Sequence, residues 1–550
     1  MSLGDTSWNH TGDWTFFAPV HREKTSPCAA DCPVGEPIHQ YMHLVTEGRY
    51  REAWEMIMAV NPLPAVCGRV CYHRCEIRCN RGEMDEPVNI HAVERFLGDL
   101  AVEEGWQVTG TGQELGGQPV TIVGSGPAGL ACAYHLRLKG YPVAVLERES
   151  APGGMLRLGV PGYRLPRPVL DAEIERLDKL GVEFRCGHKV ESLEELTAGS
   201  RAVFLATGAH GSRDPGLEGL GSGEGREGVF FGLEFLRSFN NGAPPELGSR
   251  VAVVGGGNTA IDVARVCRRL GAKVELLYRR TEQEMPAHPE EVGQARREGV
   301  KFSFQVAPAG VVSGRGGKAG QGPAEGLRML RMQQGEPDQS GRARPVPVEG
   351  SEFTVRAGSV VFAIGESPEL DYLEGKGERQ GERLVADPRG RTNIPGVFAG
   401  GDIVAGGEYT VTHALAAGRA AALGIHQALS GGETGEEKEE ELEIVGYEQI
   451  NTDYFWKAPR KEKPLSVKAR PAGEGPELDE TFSEKDAGIE AGRCFNCGTC
   501  INCDNCVIFC PDLAVSCDGE EYEVNRVYCK GCGICVQECP RAVITMERKS

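Results

Sequence analysis

No run of about 18 uninterrupted apolar residues occurs in the chain, so the sequence offers no transmembrane helix. Its first residues, MSLGDTSWNHTGDWTFF, lack both the basic and the apolar region of a secretory signal, and a cytoplasmic location is expected. Positive charge is scarce: 60 Lys and Arg stand against 79 Asp and Glu, a formal net charge of −19. A surface of that sign repels nucleic acid and anionic membranes, so neither is an expected partner. Cysteine is nearly missing from the middle, where about 116–430 hold only Cys132, Cys186 and Cys267. These three are isolated and read as small buried hydrophobes. Neither a glutaminase nor a TIM-barrel pattern is present, so no domain that converts an organic substrate is expected.

Seventeen of the 20 cysteines lie at the two ends, six from Cys28 to Cys79 and eleven from Cys494 to Cys539. In a reducing compartment, clustered C-x2-C spacings indicate metal rather than disulfides. The strongest signal is a repeated C-x2-C-x2-C-x3-C-P run: Cys500, Cys503, Cys506 and Cys510 before Pro511, and Cys529, Cys532, Cys535 and Cys539 before Pro540. Because the fourth cysteine of each run serves the other cluster, one [4Fe-4S] is assigned Cys500, Cys503, Cys506 and Cys539. The second takes Cys529, Cys532, Cys535 and Cys510. Zinc rarely uses this spacing. Cys517, in an expected hairpin between the runs, has no assigned role. At the other end, helical patterns such as PIHQYMHLVTEGRYREAWEMIMAV alternate with loops carrying Cys28, Cys32, Cys67, Cys71, Cys75 and Cys79. That is the pattern of a small α-helical domain held by its metal.

The middle alternates β-like runs with helical segments, as doubly wound α/β folds do. PVTIVGSGPAGLACAYHL is a strand, the turn Gly124-x-Gly126-x-x-Gly129, and a helix whose N-terminus suits a pyrophosphate. The next strand, VAVLE, ends in Glu147, placed to accept hydrogen bonds from a ribose. The pattern recurs at RVAVVGGGNTAIDVAR, with Gly255, Gly257 and Ala260 in the small-residue positions. Its second strand ends in Tyr278-Arg279-Arg280 instead of an acid; two guanidiniums suit the 2′-phosphate of NADP, the alternative being exposed arginines without a ligand. TNIPGVFAGGDI places Asp402 after a strand and beside the helix of VTHALAAGRAAA, and LATGA and FAIGE read as crossings between domains. VVSGRGGKAGQGPAEG, about 311–326, is expected to be a mobile hairpin tip, and GGETGEEKEEE, 431–441, a solvated acidic linker.

Gly124 to Glu147, PGGMLRLGVPGYRLP, ATGA, VVGGGNTAIDVAR, YRRTEQEMPA and IPGVFAGGD resemble the glutamate synthase small-subunit family of flavoproteins. The same family includes the nucleotide-binding half of dihydropyrimidine dehydrogenase and the larger subunit of NADH-dependent ferredoxin:NADP oxidoreductase. The resemblance spans about 25–430 and implies FAD on the first dinucleotide fold, with Asp402 at the ribityl chain, and NADPH or NADH on the second, inserted fold. Disulfide reductases that share this scaffold need a C-x2-C or C-x4-C pair near the flavin, and APGGMLRLGV has none. The expected division is an α-helical iron–sulfur domain over 1–115, FAD-binding parts over 116–245 and 366–430, and an NAD(P)H-binding domain over 246–365. A strap over 431–490 then leads to a bacterial-ferredoxin α+β domain over 491–550.

In the family the N-terminal block resembles a two-cluster domain, which implies one set from Cys32, Cys71, Cys75 and Cys79. The other set draws on an R-C-x2-C-G element upstream of Cys28 that is missing here, with a carboxylate or amide near Glu94 as fourth group. Arg493-Cys494-x2-Cys497-Gly498 carries that element at the far end of the chain. The expectation is that Cys494 and Cys497 reach back to join Cys28 and either Cys67 or Glu94, giving four clusters; otherwise they are free thiols or alternative ligands, leaving three. The function implied is an NAD(P)H-oxidising electron-transfer flavoenzyme serving a partner catalytic subunit, like the flavoprotein associated with dissimilatory sulfite reductase. The alternatives are a free-standing ferredoxin:NAD(P) oxidoreductase, with or without bifurcation, and a redox-sensing scaffold. Such chemistry needs positioning more than acid–base groups, so no catalytic side chain is assigned.

Overall fold

The computed structural model describes residues 10–108, 115–197, 199–218, 220, 226–313, 323–337, 341–431, 442–464, 477, 479–519 and 521–549. It divides into two compact units, one of 109–431 with 465–480, the other of 1–108, 432–464 and 481–550. Among the described residues no helix is long and apolar enough to cross a membrane.

In the first of these units, the apolar runs VTIV and VAVLE become strands Val120–Val123 and Val143–Glu147, buried along their whole length as parallel strands covered on both faces must be. They form a five-stranded parallel sheet in the order Val397–Ala399, Val203–Leu205, Val120–Val123, Val143–Glu147, Val182–Cys186. A second parallel sheet runs Lys301–Phe304, Lys273–Tyr278, Arg250–Val254, Ser359–Phe362, Val229–Phe231. The chain leaves the first sheet after Leu205 and returns at Val397, so the second fold is an insertion. It begins earlier than residue 246, because strand Val229–Phe231 lies in its sheet and Phe235, Leu236 and Phe239 of helix Gly232–Asn240 share its core with Val251 and Val263. An antiparallel sheet of Val306–Ser313, Ala324–Pro337, Ala343–Pro347 and Phe353–Arg356 was not legible in the doubly wound pattern. The expected hairpin tip at 314–322 lies outside the described residues.

The other unit is built on helices Ile38–Thr46, Tyr50–Met58, Pro64–Val70 and Ile90–Glu103. Two of them cross at glycines: a Cβ on Gly68 would lie 2.5 Å from the Arg95 nitrogen, and one on Gly98 would overlap the Ala65 backbone. Ala487 and Ala491 of helix Glu484–Ala491, with Phe482 just before it, pack into the same core as Ile38, Ile57 and Leu97. Strand Phe17–His21 pairs antiparallel with Ile544–Arg548, so the two ends of the chain share one sheet. The sequence separates a domain over 1–115 from one over 491–550; the structure builds one unit from both. The segment 442–464, expected as a strap toward the last domain, is fastened to this unit by Thr25 N to Glu443 O at 3.0 Å and Arg81 Nη2 to Trp456 O at 2.5 Å. The acidic linker at 432–441 lies outside the described residues.

Gly98→Leu is expected to destabilise this unit by about 1–3 kcal/mol through overpacking against the Ala65 backbone. A lower urea midpoint followed by near-UV circular dichroism reads it, with Leu97→Met, a volume-conserving change, near the parent value.

Candidate functional site

The first dinucleotide turn is set by close approach. Gly124 has φ +100°, and a Cβ there would lie 2.5 Å from Ala206 O; one on Gly129 would overlap Gly124 O, while Gly126 faces open space. Gly126 N-caps helix Pro127–Leu138, whose first N–H groups therefore stand over an open cradle of pyrophosphate character. Glu147 is buried at the end of its strand, where Oε2 accepts from Ser125 N at 3.0 Å and from Ser125 Oγ, and Oε1 accepts from Glu149 N at 2.9 Å. It holds the turn itself, and the remaining lone pairs of a carboxylate are what it offers a ribose. Asp402, half-buried in the turn Gly401–Ile403, has its carboxyl pushed up by burial against the opposing Arg383. Helix Val411–Leu429 starts beyond it, capped by Thr410 Oγ1, which accepts from His413 N at 3.3 Å.

The second turn repeats the design with different packing. A Cβ on Gly255 would overlap Ala363 O, Gly257 faces open space, and Ala260 is fully buried in the third position. Its two arginines part company: Arg279 is exposed, whereas Arg280 is buried and its Nε donates to Ala343 O at 3.0 Å. The expected pair is thus one open guanidinium and one that holds the antiparallel sheet. Sequence reasoning missed Glu366, although FAIGE was recognised as a crossing. Its Oε1 accepts from Thr259 Oγ1, in the first turn of the nucleotide helix, at 3.1 Å. Burial pushes the Glu366 carboxyl up while Arg213 and Arg383 oppose, and its charge also raises Asp402. Of the isolated cysteines, Cys132 and Cys267 are buried as expected, but Cys186 is exposed on its edge strand.

The cysteines at the two ends of the chain act on one another electrostatically. Burial pushes the Cys28 thiol far up, and the charges of Cys79, Cys494 and Cys497 push it further. Cys494, pushed up to about 12 by burial, feels Cys497 and Cys79 in turn. The charge of Cys79 is thus among those acting on Cys28, Cys494 and Cys497, whereas the resemblance implied a set with Cys32, Cys71 and Cys75. Burial and the charges of Glu36 and Glu94 push Cys32 up to about 12, and burial, Glu94 and Cys32 raise Cys71. Cys75, raised far up by burial, feels Glu76 first and then Cys71, Cys32 and Cys28. Glu94, whose charge acts on both Cys32 and Cys71, accepts from Asn61 Nδ2 at 3.1 Å, whereas Cys67 is buried with Sγ 3.7 Å from Asn61 Oδ1. In the C-terminal segment, Cys506 is raised to about 12 by burial, then by Cys500, Cys503 and Cys539; Cys535 is raised to about 11 by burial, then by Cys529, Cys532 and Cys510. Both groupings cross over between the runs. Cys517 adds to the charge felt by Cys500.

These donors fit iron–sulfur clusters. Four converging sulfurs are disfavoured as anions by burial and mutual repulsion, and a bound cationic core reverses that cost. The C-x2-C loops place Asn496, Asn502 and Gly531 at positive φ just before Cys497, Cys503 and Cys532, which turns backbone N–H groups inward. Asn496 N lies 3.3 Å from Cys494 Sγ, Ala514 N 3.2 Å from Cys510 Sγ and Asn80 Nδ2 3.5 Å from Cys497 Sγ. A cavity in the C-terminal segment is lined by Cys500, Cys503, Cys506, Cys539, His21 and Arg541. His21 Nε2 and Arg541 Nε are buried there without a hydrogen-bond partner among the described residues, as donors awaiting an acceptor would be. A further buried group, missed in the sequence, flanks Cys75: the rings of His73 and His91 stack at 3.5 Å, and Glu76 accepts from His91 Nδ1 and Arg460 Nη2, each at 2.7 Å.

Two nucleotide cradles in one unit and cysteine sets in the other define an oxidoreductase that handles pyridine nucleotide, flavin and at least one [4Fe-4S] cluster. Residues 118–419 match the family described as pyridine nucleotide-disulphide oxidoreductase, and 22–106 match dihydropyrimidine dehydrogenase domain II, 4Fe-4S cluster. The chain is 40% identical over 507 residues to the NADP(+)-dependent formate dehydrogenase subunit beta of Moorella thermoacetica, covering 86% of this chain and 70% of that one. It is 38% identical to the glutamate synthase [NADPH] small chain of Azospirillum brasilense, covering 72% and 85%. The structure of Mycobacterium tuberculosis FprA in complex with NADPH shares the fold at a TM-score of 0.50 and 18% identity, over 60% of this chain and 87% of that one. The chain belongs to the pyridine nucleotide-disulphide oxidoreductase family, in the branch of the glutamate synthase small chain, and is an NAD(P)H-dependent electron-transfer oxidoreductase.

Arg279→Gln is expected to raise KM for NADPH by about tenfold or more, the loss of one charge-assisted contact to a 2′-phosphate, with KM for NADH unchanged. Steady-state kinetics with both nucleotides and an artificial acceptor checks it.

Proposed function

We propose that this chain is the NAD(P)H-oxidising subunit of a larger redox enzyme, and that it delivers single electrons through four [4Fe-4S] clusters to a partner catalytic subunit. When bound, a flavin takes two electrons as hydride and releases them singly, and clusters carry them one at a time. Gly124, Gly126 and Gly129 shape the FAD pyrophosphate cradle, Glu147 fixes the turn and faces the ribose, and Asp402 stands at the ribityl side. Gly255, Gly257 and Ala260 shape the nicotinamide cradle, and Arg279 reads the 2′-phosphate of NADP.

The clusters are held by Cys28, Cys79, Cys494 and Cys497; by Cys32, Cys71, Cys75 and Glu94; by Cys500, Cys503, Cys506 and Cys539; and by Cys529, Cys532, Cys535 and Cys510. The observation that carries this count is the grouping of Cys494 and Cys497 with Cys28 and Cys79. The relatives named above carry the names of a subunit beta and a small chain, which supports a larger catalytic partner. Cys500, Cys503 and Cys532 are exposed, which supports electron exit from the C-terminal segment.

In anaerobically purified protein, iron per flavin is expected at about 16, falling to about 12 in the Cys494→Ser, Cys497→Ser double variant. A parent value near 12 contradicts the four-cluster count. A second subunit co-eluting at equal stoichiometry supports the catalytic-partner reading. A chain that elutes alone and reduces ferredoxin with NADPH supports a free-standing oxidoreductase instead.

A further inference from the structure

We infer that Arg541 is a positioning cation shared by two clusters, placed between the Cys500, Cys503, Cys506, Cys539 set and the Cys28, Cys79, Cys494, Cys497 set, and that it raises the reduction potential of both. The inference rests on the four-cluster reading.

Four geometric observations carry it. The side chain lines the cavity of the first set. On its other side Nη1 donates to Phe495 O at 2.5 Å, inside the Cys494-x2-Cys497 loop of the second set. Its own carbonyl accepts from Gly498 N at 2.8 Å, so backbone and side chain are tied to that loop at both ends. The guanidinium also lies 4.9 Å from the centre of the Phe455 ring, which fixes its plane.

Its charge is not spent elsewhere. Among the described residues no carboxylate lies within ion-pair distance of Arg541, and Nε is buried without a partner. Other buried arginines of this unit are paired: Arg493 with Glu490 and Asp85, and Arg81 with Asp85. Burial pulls the Arg541 guanidinium down from its ordinary value, and the charges of Cys494, Cys503, Cys497 and Cys539 act against that pull, two from each set. An arginine retains its proton under such conditions.

A cluster ligated by four thiolates is anionic, and reduction adds one more negative charge. A permanent cation at short range in a poorly screened interior stabilises the reduced form. Because one guanidinium serves two sets, its removal acts on both clusters. A residue that only braced the fold would instead change iron content, without a matched change in two potentials.

EPR-monitored redox titration of the full-length anaerobic holoprotein tests this in the parent, Arg541→Gln, Arg541→Lys and Cys494→Ser. Arg541→Gln is expected to keep its iron and to shift two cluster signals toward oxidation by about tenfold each in the reduction equilibrium, about 59 mV for a one-electron couple. One of the two is the signal lost in Cys494→Ser, and Arg541→Lys recovers part of both shifts. Full iron with unmoved potentials, or a shift confined to one signal, overturns the inference. If Arg541→Gln sheds iron, Arg541→Lys decides: full iron with near-parent potentials supports the charge, and the same iron loss identifies a structural role and overturns it. About 12 iron per flavin in the parent overturns the four-cluster reading itself.

Discussion

The cost of burying cysteine sulfur as an anion governs one of the two units. Cys28 and Cys497 are buried and Cys75 and Cys494 half-buried, and the thiol of each is raised by desolvation first and by neighbouring thiols or carboxylates as well. A cation bound among such thiols would offset that desolvation, which would couple folding to metal binding. This explains why a unit of short helices and loops holds segments from both ends of the chain. Its sulfurs come from 28–79 and 494–539, and the loops that carry them are pinned by polar contacts beside the apolar core of the helices.

The pinning is ionic and specific. Arg493, buried in the same R-C-x2-C element, donates to Glu490, Asp85, Glu86 O and Ala458 O, and Glu490 in turn accepts from Asn89 N and Lys461 N. Asn496 reaches His39 O at 2.7 Å, and Ser26 bridges His39 Nδ1 to Cys28 Sγ. Removing one partner from such a buried pair costs about 3–5 kcal/mol, because the other charge is left uncompensated. The arginine before Cys494 is therefore as much a part of the site as the thiols. In the nucleotide-binding unit the constraint is different: backbone atoms approach within the reach of a missing side chain at Gly124 and Gly255, and polar ends are satisfied by Glu147 and Glu366.

Much of this was legible in the sequence, because its signals are local. The glycine turns and the acid at 147 depend on spacing within about 30 residues, and the structure builds those turns as that spacing dictates. The errors lie where partners are distant in sequence. Strand Phe17–His21 carries no mark of its partner more than five hundred residues on, so the two ends were read as separate domains. Beside Cys79, Asn80 reaches across to Cys497, a contact that no local spacing announces. Arg280 looked like the twin of Arg279, but alternation along a strand end sends one side chain inward, and Ala343 O was there to receive it.

The central claim is that an iron–sulfur cluster is shared by the two ends of the chain. Crystals of the anaerobic holoprotein, measured on both sides of the iron absorption edge, test it most directly. The account predicts four separate anomalous peaks, one of them surrounded by Cys28, Cys79, Cys494 and Cys497. Three peaks, or a peak bonded to Cys79 together with Cys32, Cys71 and Cys75, would contradict it.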